Sequence, residues 1–169
     1  MSAGERPIVL GGMPGAGKTT VGRILAQRLG RVFQDGDDGI AEMAGISVDE
    51  IFRTEGEPGF RLWEKRFYLS VILLPYAVLA VGGGALLDGE IHTRLENEGT
   101  IVCLRVDAKV AWERLSKDYP RPLLAGDGLA RLQDLAKKRA AHYDSFPMQV
   151  DTTKLTPDEV ADEIINNFT

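Results

Sequence analysis

The chain has 169 residues, 44% of them hydrophobic, which is the size and composition of one globular domain with a single core. Asp and Glu number 25 against 20 Lys and Arg, so the formal net charge is -5 and a nucleic-acid-binding surface is not expected. The single cysteine, Cys103, excludes an internal disulfide and a Cys-based zinc site and is typical of a reducing compartment. We therefore expect a cytoplasmic protein in which Cys103 is a small buried hydrophobe.

No membrane contact is predicted either. The first seven residues contain no apolar segment of the kind found in secretory signals or anchors. The longest apolar stretch, residues 67–81, is interrupted by Ser70 and Pro75 and falls short of the roughly 20 residues that a membrane-spanning helix needs. We expect this stretch to pack inside the fold.

Short apolar segments alternate along the chain with longer segments of helical periodicity. Strands are predicted at residues 8–10, 32–33, 78–81, 101–104 and 148–150. Helices are predicted at residues 18–29, within 37–73, at 89–97, 108–116 and 129–143, and near the C-terminal end. Strands that are hydrophobic throughout are typical of a parallel sheet covered on both faces. We therefore predict a three-layer α/β fold, a five-stranded parallel sheet between helices, in one domain spanning residues 1–169.

Residues that favour helix ends support these boundaries. Gly30 follows the first predicted helix as a cap, and segments 47–50 and 156–159 both have the sequence of a capping box, the second with Pro157 at its first helical position. Residues 117–128 fit no element, because they contain two prolines and two glycines. Loops of this length in compact domains are often lids, so we predict a lid at about 117–128.

The segment from Gly12 to Thr19 matches the phosphate-binding pattern GxxxxGK(S/T) and lies between an apolar strand and a helix, as that pattern requires. Its glycines let backbone N–H groups turn towards phosphate oxygens, Lys18 reaches the β and γ phosphates, and the Thr19 hydroxyl binds magnesium. The alternative is a plain glycine turn. The loop residues that we assign to the nucleotide are Gly15, Ala16, Gly17, Lys18, Thr19 and Thr20. For Thr20, packing or helix capping is an alternative.

A triple glycine, Gly82-Gly83-Gly84, follows the third predicted strand. At the carboxyl end of a parallel strand, glycines let a ligand approach the backbone closely, and substrates bind in the crevice there. A loose turn is the alternative.

The Asn-Lys-x-Asp pattern with which GTPases read guanine does not occur in the sequence.

Acidic residues follow the second predicted strand, in the sequence Asp35-Gly36-Asp37-Asp38. They lie at the same rim of the predicted sheet as the phosphate-binding loop. Carboxylates two residues apart project from the same side of an extended chain, so Asp35 would hold magnesium-bound water while Asp37 takes the proton of an acceptor hydroxyl. The alternative is that Asp37 or Asp38 caps the next helix.

Six motifs follow one another along the chain: Gly12–Thr19, Asp35-x-Asp37, Gly59-Phe60-Arg61-x-x-Glu64, Gly82-Gly83-Gly84-Ala85, Arg121-Pro122-Leu123-Leu124 and Arg139-x-x-x-Tyr143. Together they resemble the motifs of the shikimate kinases, over residues 8–157. The resemblance implies a P-loop kinase fold and an enzyme that uses ATP and Mg²⁺. It implies phosphorylation of the 3-hydroxyl of shikimate, a step of chorismate and aromatic amino acid biosynthesis.

The resemblance also implies an acceptor site. Shikimate has one carboxylate and three hydroxyls; in the family the positions of Arg61 and Arg139 bind the carboxylate, and that of Asp37 binds the hydroxyl that is phosphorylated. A planar guanidinium suits a carboxylate. Glu64, one helical turn from Arg61, would orient that arginine or contact the ring, and Gly82, Gly83 and Gly84 complete the site. For Arg61 and Glu64, a surface ion pair is the alternative.

On the nucleotide side, the resemblance implies that Arg121 moves with the lid over the phosphates and that Arg114 and Pro157 flank the adenine. A solvated loop arginine is the alternative for Arg121. The residues to which we assign catalytic roles are Lys18, Asp37 and Arg121, and those assigned to the metal are Thr19 and Asp35.

Three features depart from the family pattern. Gly36 stands where Ser or Thr is usual between the two aspartates, and Ala141-His142 stands where Pro-Leu is common. Trp63, beside Glu64, is unusual and would alter the shape of the acceptor pocket.

Other functions remain open on the sequence alone. A nucleoside monophosphate kinase has a similar phosphate-binding loop but needs more clustered arginines, and a gluconate-type kinase would also use arginines and an aspartate. A nucleotide-sensing module would need neither Asp37 nor Arg121. We expect a monomer that binds ATP, Mg²⁺ and shikimate, and neither nucleic acid nor a membrane.

Overall fold

The computed structural model of the protein describes residues 6–118 and 127–167. The strands are β1 (Ile8–Gly12), β2 (Val32–Asp35), β3 (Ala77–Ala80), β4 (Thr100–Arg105) and β5 (Gln149–Asp151). The helices are α1 (Lys18–Leu29), α2 (Gly36–Ala44), α3 (Val48–Ser70), α4 (Gly89–Glu98), α5 (Ala108–Asp118), α6 (Gly128–Asp144) and α7 (Pro157–Asn166), with a short 3₁₀ turn at Ala85–Leu87. Outside residues 37–73, the predicted bounds agree with the observed ones to within about two residues.

The sheet has the strand order β2-β3-β1-β4-β5, and all neighbouring strands are parallel, which confirms the predicted five-stranded parallel sheet. The inner strands β1, β3 and β4 are buried on both faces and are correspondingly apolar. For the edge strands β2 and β5, the prediction of strands hydrophobic throughout is wrong, because an edge strand has a neighbour on one side only. Val32 is 54% exposed, and Gln149 and Asp151 face solvent.

Alternate residues of the inner strands pack against helices on opposite faces of the sheet. Ile8 and Leu10 pack against α1 and α7, whereas Val9 belongs to the core formed with α2, α3, α4 and α6. Cys103 lies in this second core as predicted, and burial there raises the pKa of its thiol to about 11. The fold is therefore the predicted three-layer α/β arrangement.

The segment predicted to be helical over residues 37–73 contains two helices, and the second one bends. Gly45, with a φ of 72°, caps α2, and α3 begins three residues later. Within α3, Gly56 has a φ of 69° and a ψ of -173°, and Pro58 follows, so a regular helix cannot continue there. α3 is therefore two helical segments joined at Gly56, and Arg61 lies close to the start of the second.

Two of the three predicted helix caps form in full. Gly30 ends α1 with a φ of 62°, and the capping box at 156–159 makes both of its reciprocal hydrogen bonds. At the start of α3 only half of the predicted box forms, because the Ser47 hydroxyl accepts from the Glu50 N–H while the Glu50 carboxylate pairs with Arg53 instead. The Glu50 carboxylate binds Arg53, one turn further along the helix, and therefore does not complete the capping box.

The predicted lid at 117–128 falls largely outside the described residues. Residues 117 and 118 continue α5, and α6 begins at Gly128, so both helices extend into the predicted loop. Asp127 precedes α6, but its side chain makes no capping hydrogen bond. The prediction for Arg121 lies outside the described ranges. Within those ranges, no helix is both long enough and apolar enough to cross a membrane.

Candidate active site

The loop predicted to bind phosphate connects the end of β1 to the start of α1. Gly12, Gly15 and Gly17 have φ values of 132°, 80° and 95°, a region of backbone conformation that favours glycine. A Cβ added at Gly15 would lie 2.7 Å from the carbonyl oxygen of Ala111 in α5. The loop is therefore tightly folded against α5, and its conformation depends on these glycines.

The Lys18 side chain lies along this loop. Its Nζ donates to the carbonyl oxygens of Gly12, at 2.8 Å, and Met13, at 2.9 Å. Burial lowers the pKa of Lys18 from 10.5 to about 8; Asp37 acts in the opposite direction, and Arg139 lowers the pKa further. Lys18 is thus within electrostatic range of two residues assigned to the acceptor site.

Thr19 and Asp35, the two residues assigned to the metal, contact each other. Thr19 Oγ1 donates to Asp35 Oδ2 at 2.8 Å, and Asp35 Oδ1 accepts from the Asp37 N–H at 3.0 Å. A hydroxyl and a carboxylate suit Mg²⁺, which is bound through one or two carboxylates and completes its coordination with water and phosphate oxygens. Over residues 6–118 and 127–167, no group of three or more acidic, His or Cys side chains is placed to hold a metal. The donor set therefore fits Mg²⁺ that is bound together with a nucleotide.

Asp37 lies in the first turn of α2 and not on an extended chain. The prediction that Asp35 and Asp37 project from the same side of an extended chain is therefore wrong. β2 ends at Asp35, and α2 begins immediately after it. The alternative, that Asp37 or Asp38 caps α2, is also wrong, because Asp35 is the capping residue. Asp37 Oδ1 instead faces the triple glycine, 3.4 Å from where a Cβ would lie at Gly82.

Each residue of the triple glycine approaches a different part of the site. A Cβ added at Gly82 would lie 3.1 Å from Glu64 Oε2, and one at Gly84 would lie 2.7 Å from Arg61 Nη2. At Gly83 it would lie 2.9 Å from the proline of the phosphate-binding loop. A loose turn does not account for these close approaches, which bring α3 and the phosphate-binding loop to the same segment of backbone.

Arg61 and Glu64 form an ion pair that is buried at its acidic end. Arg61 Nη1 donates to Glu64 Oε1 at 2.7 Å, and Nη2 donates to Glu57 Oε1 at 3.2 Å. Because Glu64 is 2% exposed, the alternative of a surface ion pair is excluded. Burial raises the pKa of Glu64, and Arg61 counteracts part of that rise. Glu64 Oε2 is buried and has no hydrogen-bond partner among the described residues, so it is available to accept from a ligand hydroxyl.

Arg139 reaches the same turn from α6. Its Nη1 donates to the Gly83 carbonyl oxygen at 2.7 Å, and the Tyr143 hydroxyl lies 3.5 Å from both groups. The guanidinium groups of Arg61 and Arg139 therefore lie beside neighbouring residues, Gly84 and Gly83. A guanidinium group suits a carboxylate, so the two together would be able to bind one small carboxylate.

A cavity of about 260 Å³ opens beside the phosphate-binding loop. Several residues assigned to the nucleotide line it: Gly15, Ala16, Gly17, Thr20, Arg114 and Pro157. Leu115, Leu155 and Val160 add apolar surface. The structure thus brings together residues that are far apart in the sequence in a cavity with a mixed lining, as binding of a nucleobase requires.

Thr152 is a buried residue of this cavity that the sequence analysis missed. Its Oγ1 lies 3.1 Å from the carbonyl oxygen of Ala16 and 3.0 Å from that of Arg105. Arg114 donates to the Thr152 carbonyl oxygen at 2.7 Å and to the Gly15 carbonyl oxygen at 3.2 Å. Arg114 and Thr152 therefore fasten the phosphate-binding loop to the segment after β5. A threonine after a three-residue strand gives no signal of this role in the sequence.

Comparison with known proteins identifies the family. A model of the shikimate kinase family matches residues 14–169. The chain belongs to the shikimate kinase family. The shikimate kinase of Thermodesulfovibrio yellowstonii is 39% identical over 162 residues, which are 95% of this chain and 94% of the relative. That of Thermobifida fusca is 41% identical over 162 residues, with coverage of 95% and 94%.

A solved structure agrees with this assignment. A shikimate kinase from Acinetobacter baumannii in complex with shikimate has a TM-score of 0.88 to this chain at 34% identity, covering 96% of this chain and 92% of the relative. The resemblance to shikimate kinases inferred from the six motifs is confirmed, and so is the P-loop kinase fold that it implied.

The structure gives a reason for the glycine between Asp35 and Asp37. A Cβ added at Gly36 would lie 1.8 Å from Tyr68 Oη and 2.8 Å from Tyr68 Cζ. Tyr68 is fully buried, and its Oη accepts a hydrogen bond from the Gly82 N–H at 3.2 Å. The phenol therefore fills the space that any side chain at position 36 would need.

Trp63, which adjoins Glu64, bridges the bend in α3. Its indole N–H donates to the Glu55 carboxylate at 3.1 Å, and the Arg66 guanidinium lies over its ring at 5.5 Å. Glu55 precedes Gly56, so the indole connects the two helical segments. Its effect on the shape of the acceptor pocket stays a prediction.

Proposed function

We propose that this enzyme transfers the γ-phosphoryl group of ATP to the 3-hydroxyl of shikimate, with Mg²⁺ as cofactor. The observation that carries the proposal is the convergence of Asp37, Glu64, Arg61 and Arg139 on Gly82–Gly84, next to the phosphate-binding loop. A polyol with one carboxylate matches this set, because arginines suit its carboxylate and acidic side chains suit its hydroxyls. The complex of the Acinetobacter baumannii relative with shikimate supports the same acceptor.

In this proposal Arg61 and Arg139 bind the shikimate carboxylate. Their hydrogen bonds to Glu64 and to the Gly83 carbonyl oxygen restrict the directions in which the two guanidinium groups point. A hydrogen bond to a charged group contributes about 1.5–3 kcal/mol. The unpartnered Oε2 of Glu64 accepts a hydrogen bond from a ring hydroxyl, which orients the ring as well as its carboxylate.

The nucleotide occupies the other side of the loop. The adenine enters the cavity between Arg114 and Pro157, and the phosphates contact the loop N–H groups and the Lys18 ammonium. Thr19 and Asp35 would hold Mg²⁺, which neutralises phosphate charge when it is bound. The Lys18 ammonium donates hydrogen bonds to two carbonyl oxygens of this loop, which hold it next to the backbone that would receive the phosphates.

The chemical step is an in-line displacement. The oxygen of the 3-hydroxyl forms a bond to the γ-phosphorus, and the bond from that phosphorus to the bridging oxygen breaks, so that ADP leaves with the bridging oxygen. Asp37 accepts the hydroxyl proton, and Lys18 stabilises the charge on the phosphate oxygens. Arg121 would add positive charge there from the lid. Most of the rate enhancement then comes from positioning and electrostatic stabilisation.

An ADP-release assay with four acceptors tests the proposal. Shikimate should give rapid release, whereas gluconate, AMP and CMP should give release close to the rate of ATP hydrolysis without acceptor. Release with AMP or CMP but not shikimate would indicate a nucleoside monophosphate kinase, and release with gluconate alone a sugar-acid kinase. Nucleotide binding with no release for any acceptor would indicate a nucleotide-sensing module.

One chain contributes groups to both substrate sites, so we also propose that the active form is a monomer. The single cysteine, Cys103, which is typical of a reducing compartment, supports the proposal that the protein is cytoplasmic. Light scattering after size exclusion should give a mass near 18.5 kDa at assay concentrations. A stable dimer mass would contradict this part of the proposal.

A further inference from the structure

We infer that the Tyr68 hydroxyl is a positioning group of the acceptor site, which fixes the Gly82 backbone relative to the start of α2. The inference deepens the proposed function and rests on it, since the affected substrate is the phosphoryl acceptor. Tyr68 follows Glu64 by four residues in α3, so both side chains lie on one face of the helix.

The phenol oxygen lies where three segments of the site meet. It belongs to α3, it accepts a hydrogen bond from the N–H of Gly82 in the triple glycine, and it occupies the space above Gly36 at the start of α2. Gly36 lies between Asp35 and Asp37. One buried oxygen atom thus sets the spacing between the segment that carries Asp37 and the turn on which the acceptor groups converge.

The surroundings of Tyr68 keep its phenol protonated. Burial raises the pKa of Tyr68 well above its ordinary value, and Asp37, Glu64 and Asp35 raise it further, whereas the Gly82 N–H lowers it. A neutral hydroxyl is the form that accepts from Gly82 without adding a negative charge beside these carboxylates. The side chain therefore acts through its geometry, and proton transfer remains with Asp37.

The substitution Tyr68→Phe removes this oxygen and keeps the ring. The Gly82 N–H then loses its acceptor, and the turn is free to shift relative to Asp37 and Glu64. We expect kcat/KM for shikimate to fall about tenfold, mostly through KM, while the KM for ATP stays within about twofold. Tyr76→Phe is the matched control, since Tyr76 is 47% exposed. It lies just before the first residue of β3, whereas the triple glycine lies beyond the last.

Gly36→Ala probes the same contact from the other side and leaves Tyr68 intact. Its Cβ must displace the phenol oxygen, so at saturating Mg²⁺, which compensates for any shift of the neighbouring Asp35, it should raise the shikimate KM in the same selective way. Gly89→Ala is the control, because a Cβ at Gly89 meets no atom within 4 Å. The combined variant with Tyr68→Phe should be less impaired than the product of the two single effects, because the nearest atom to that Cβ changes from Oη at 1.8 Å to Cζ at 2.8 Å.

Equal increases in both KM values, or unchanged KM values with only a lower melting temperature, would overturn the inference and leave Tyr68 as a core residue. If Tyr68→Phe does not fold, the split between the two KM values in Gly36→Ala decides in the same way. If the unsubstituted enzyme used another acceptor, the proposed function would fail. A selective rise in the KM for that acceptor, with the KM for ATP unchanged, would still support the role of Tyr68.

Discussion

The Thr19 hydroxyl donates a hydrogen bond of 2.8 Å to Asp35 and thereby joins the first turn of α1 to the end of β2. If these groups hold Mg²⁺, Asp35→Asn should raise the Mg²⁺ concentration that gives half-maximal activity at least about tenfold. A Mg²⁺ titration of the initial rate at fixed ATP measures this. Asp38→Asn, at an exposed neighbouring position, is the control. An unchanged Mg²⁺ dependence would mean that Asp35 serves only as the cap of α2.

Asp37→Asn should abolish most turnover while leaving ATP binding intact at a pH well below the Lys18 pKa of about 8, where Lys18 keeps its proton even without this carboxylate. Loss of a general base lowers kcat by about 10²–10⁴, whereas the nucleotide cavity does not include Asp37. Steady-state kinetics give kcat, and calorimetry gives the Kd for ATP. Turnover close to that of the unsubstituted enzyme would remove Asp37 from the chemical step.

The pKa of about 8 for Lys18 predicts a nucleotide affinity that falls at alkaline pH. Above pH 8 the free enzyme loses the Lys18 proton, while bound phosphates favour the ammonium, so binding takes up a proton there. The Kd for ATP should therefore rise with pH above about 8, by at most about tenfold per pH unit. Calorimetry in buffers with different ionisation enthalpies detects the proton uptake.

The variant Lys18→Arg checks this assignment. Arginine keeps its charge throughout this range, so the variant should bind ATP with an affinity that is nearly independent of pH, even if that affinity is lower. The same pH dependence in Lys18→Arg as in the unsubstituted enzyme would assign the titration to another group.

Arg139→Ala should weaken binding of the acceptor and leave the nucleotide unaffected. Loss of one or two charge-assisted hydrogen bonds should raise the shikimate KM about 10- to 100-fold. Lys138→Ala is the matched control, because it removes a neighbouring positive charge that is exposed and pairs with Asp134 in the same helix. If the shikimate KM of Arg139→Ala equals that of the control, Arg139 does not bind the carboxylate.

Thr152→Val should destabilise the fold and loosen the nucleotide loop. The substitution keeps the volume but removes the hydroxyl that lies between the Ala16 and Arg105 carbonyl oxygens. We expect the free energy of unfolding in urea to fall by about 1–3 kcal/mol and the KM for ATP to rise. Thr54→Val, at an exposed position of α3, should change neither quantity appreciably, and a similar result for Thr152→Val would show that its hydroxyl is dispensable.

Features that depend on neighbouring residues in the chain could be predicted from the sequence. The buried strands are continuous apolar segments, and the phosphate-binding loop is one uninterrupted motif whose glycines have the backbone conformation they were expected to need. Gly56 and Pro58 are a local signal for the bend in α3 that the predicted helix within residues 37–73 did not use, whereas the approach of Asp37 to Gly82 depends on packing and could not be predicted. Asp37 does lie near the triple glycine, but the extended-chain argument for its position is wrong, and its role toward the acceptor stays a prediction.

Contacts between distant segments could not be predicted. Thr152 acts through carbonyl oxygens of Ala16 and Arg105, and Tyr68 through the space at Gly36, and in each case only the folded backbone defines the partner. For Gly36 that partner is 32 positions further along the chain.

The triple glycine arranges charges of opposite sign along three residues. The guanidinium groups of Arg61 and Arg139 lie beside Gly84 and Gly83, whereas the carboxylates of Asp37 and Glu64 lie beside Gly82. An acceptor with one carboxylate and several hydroxyls would match this order in one orientation only. The direction in which such a ring binds would then follow from the order of charges along the turn.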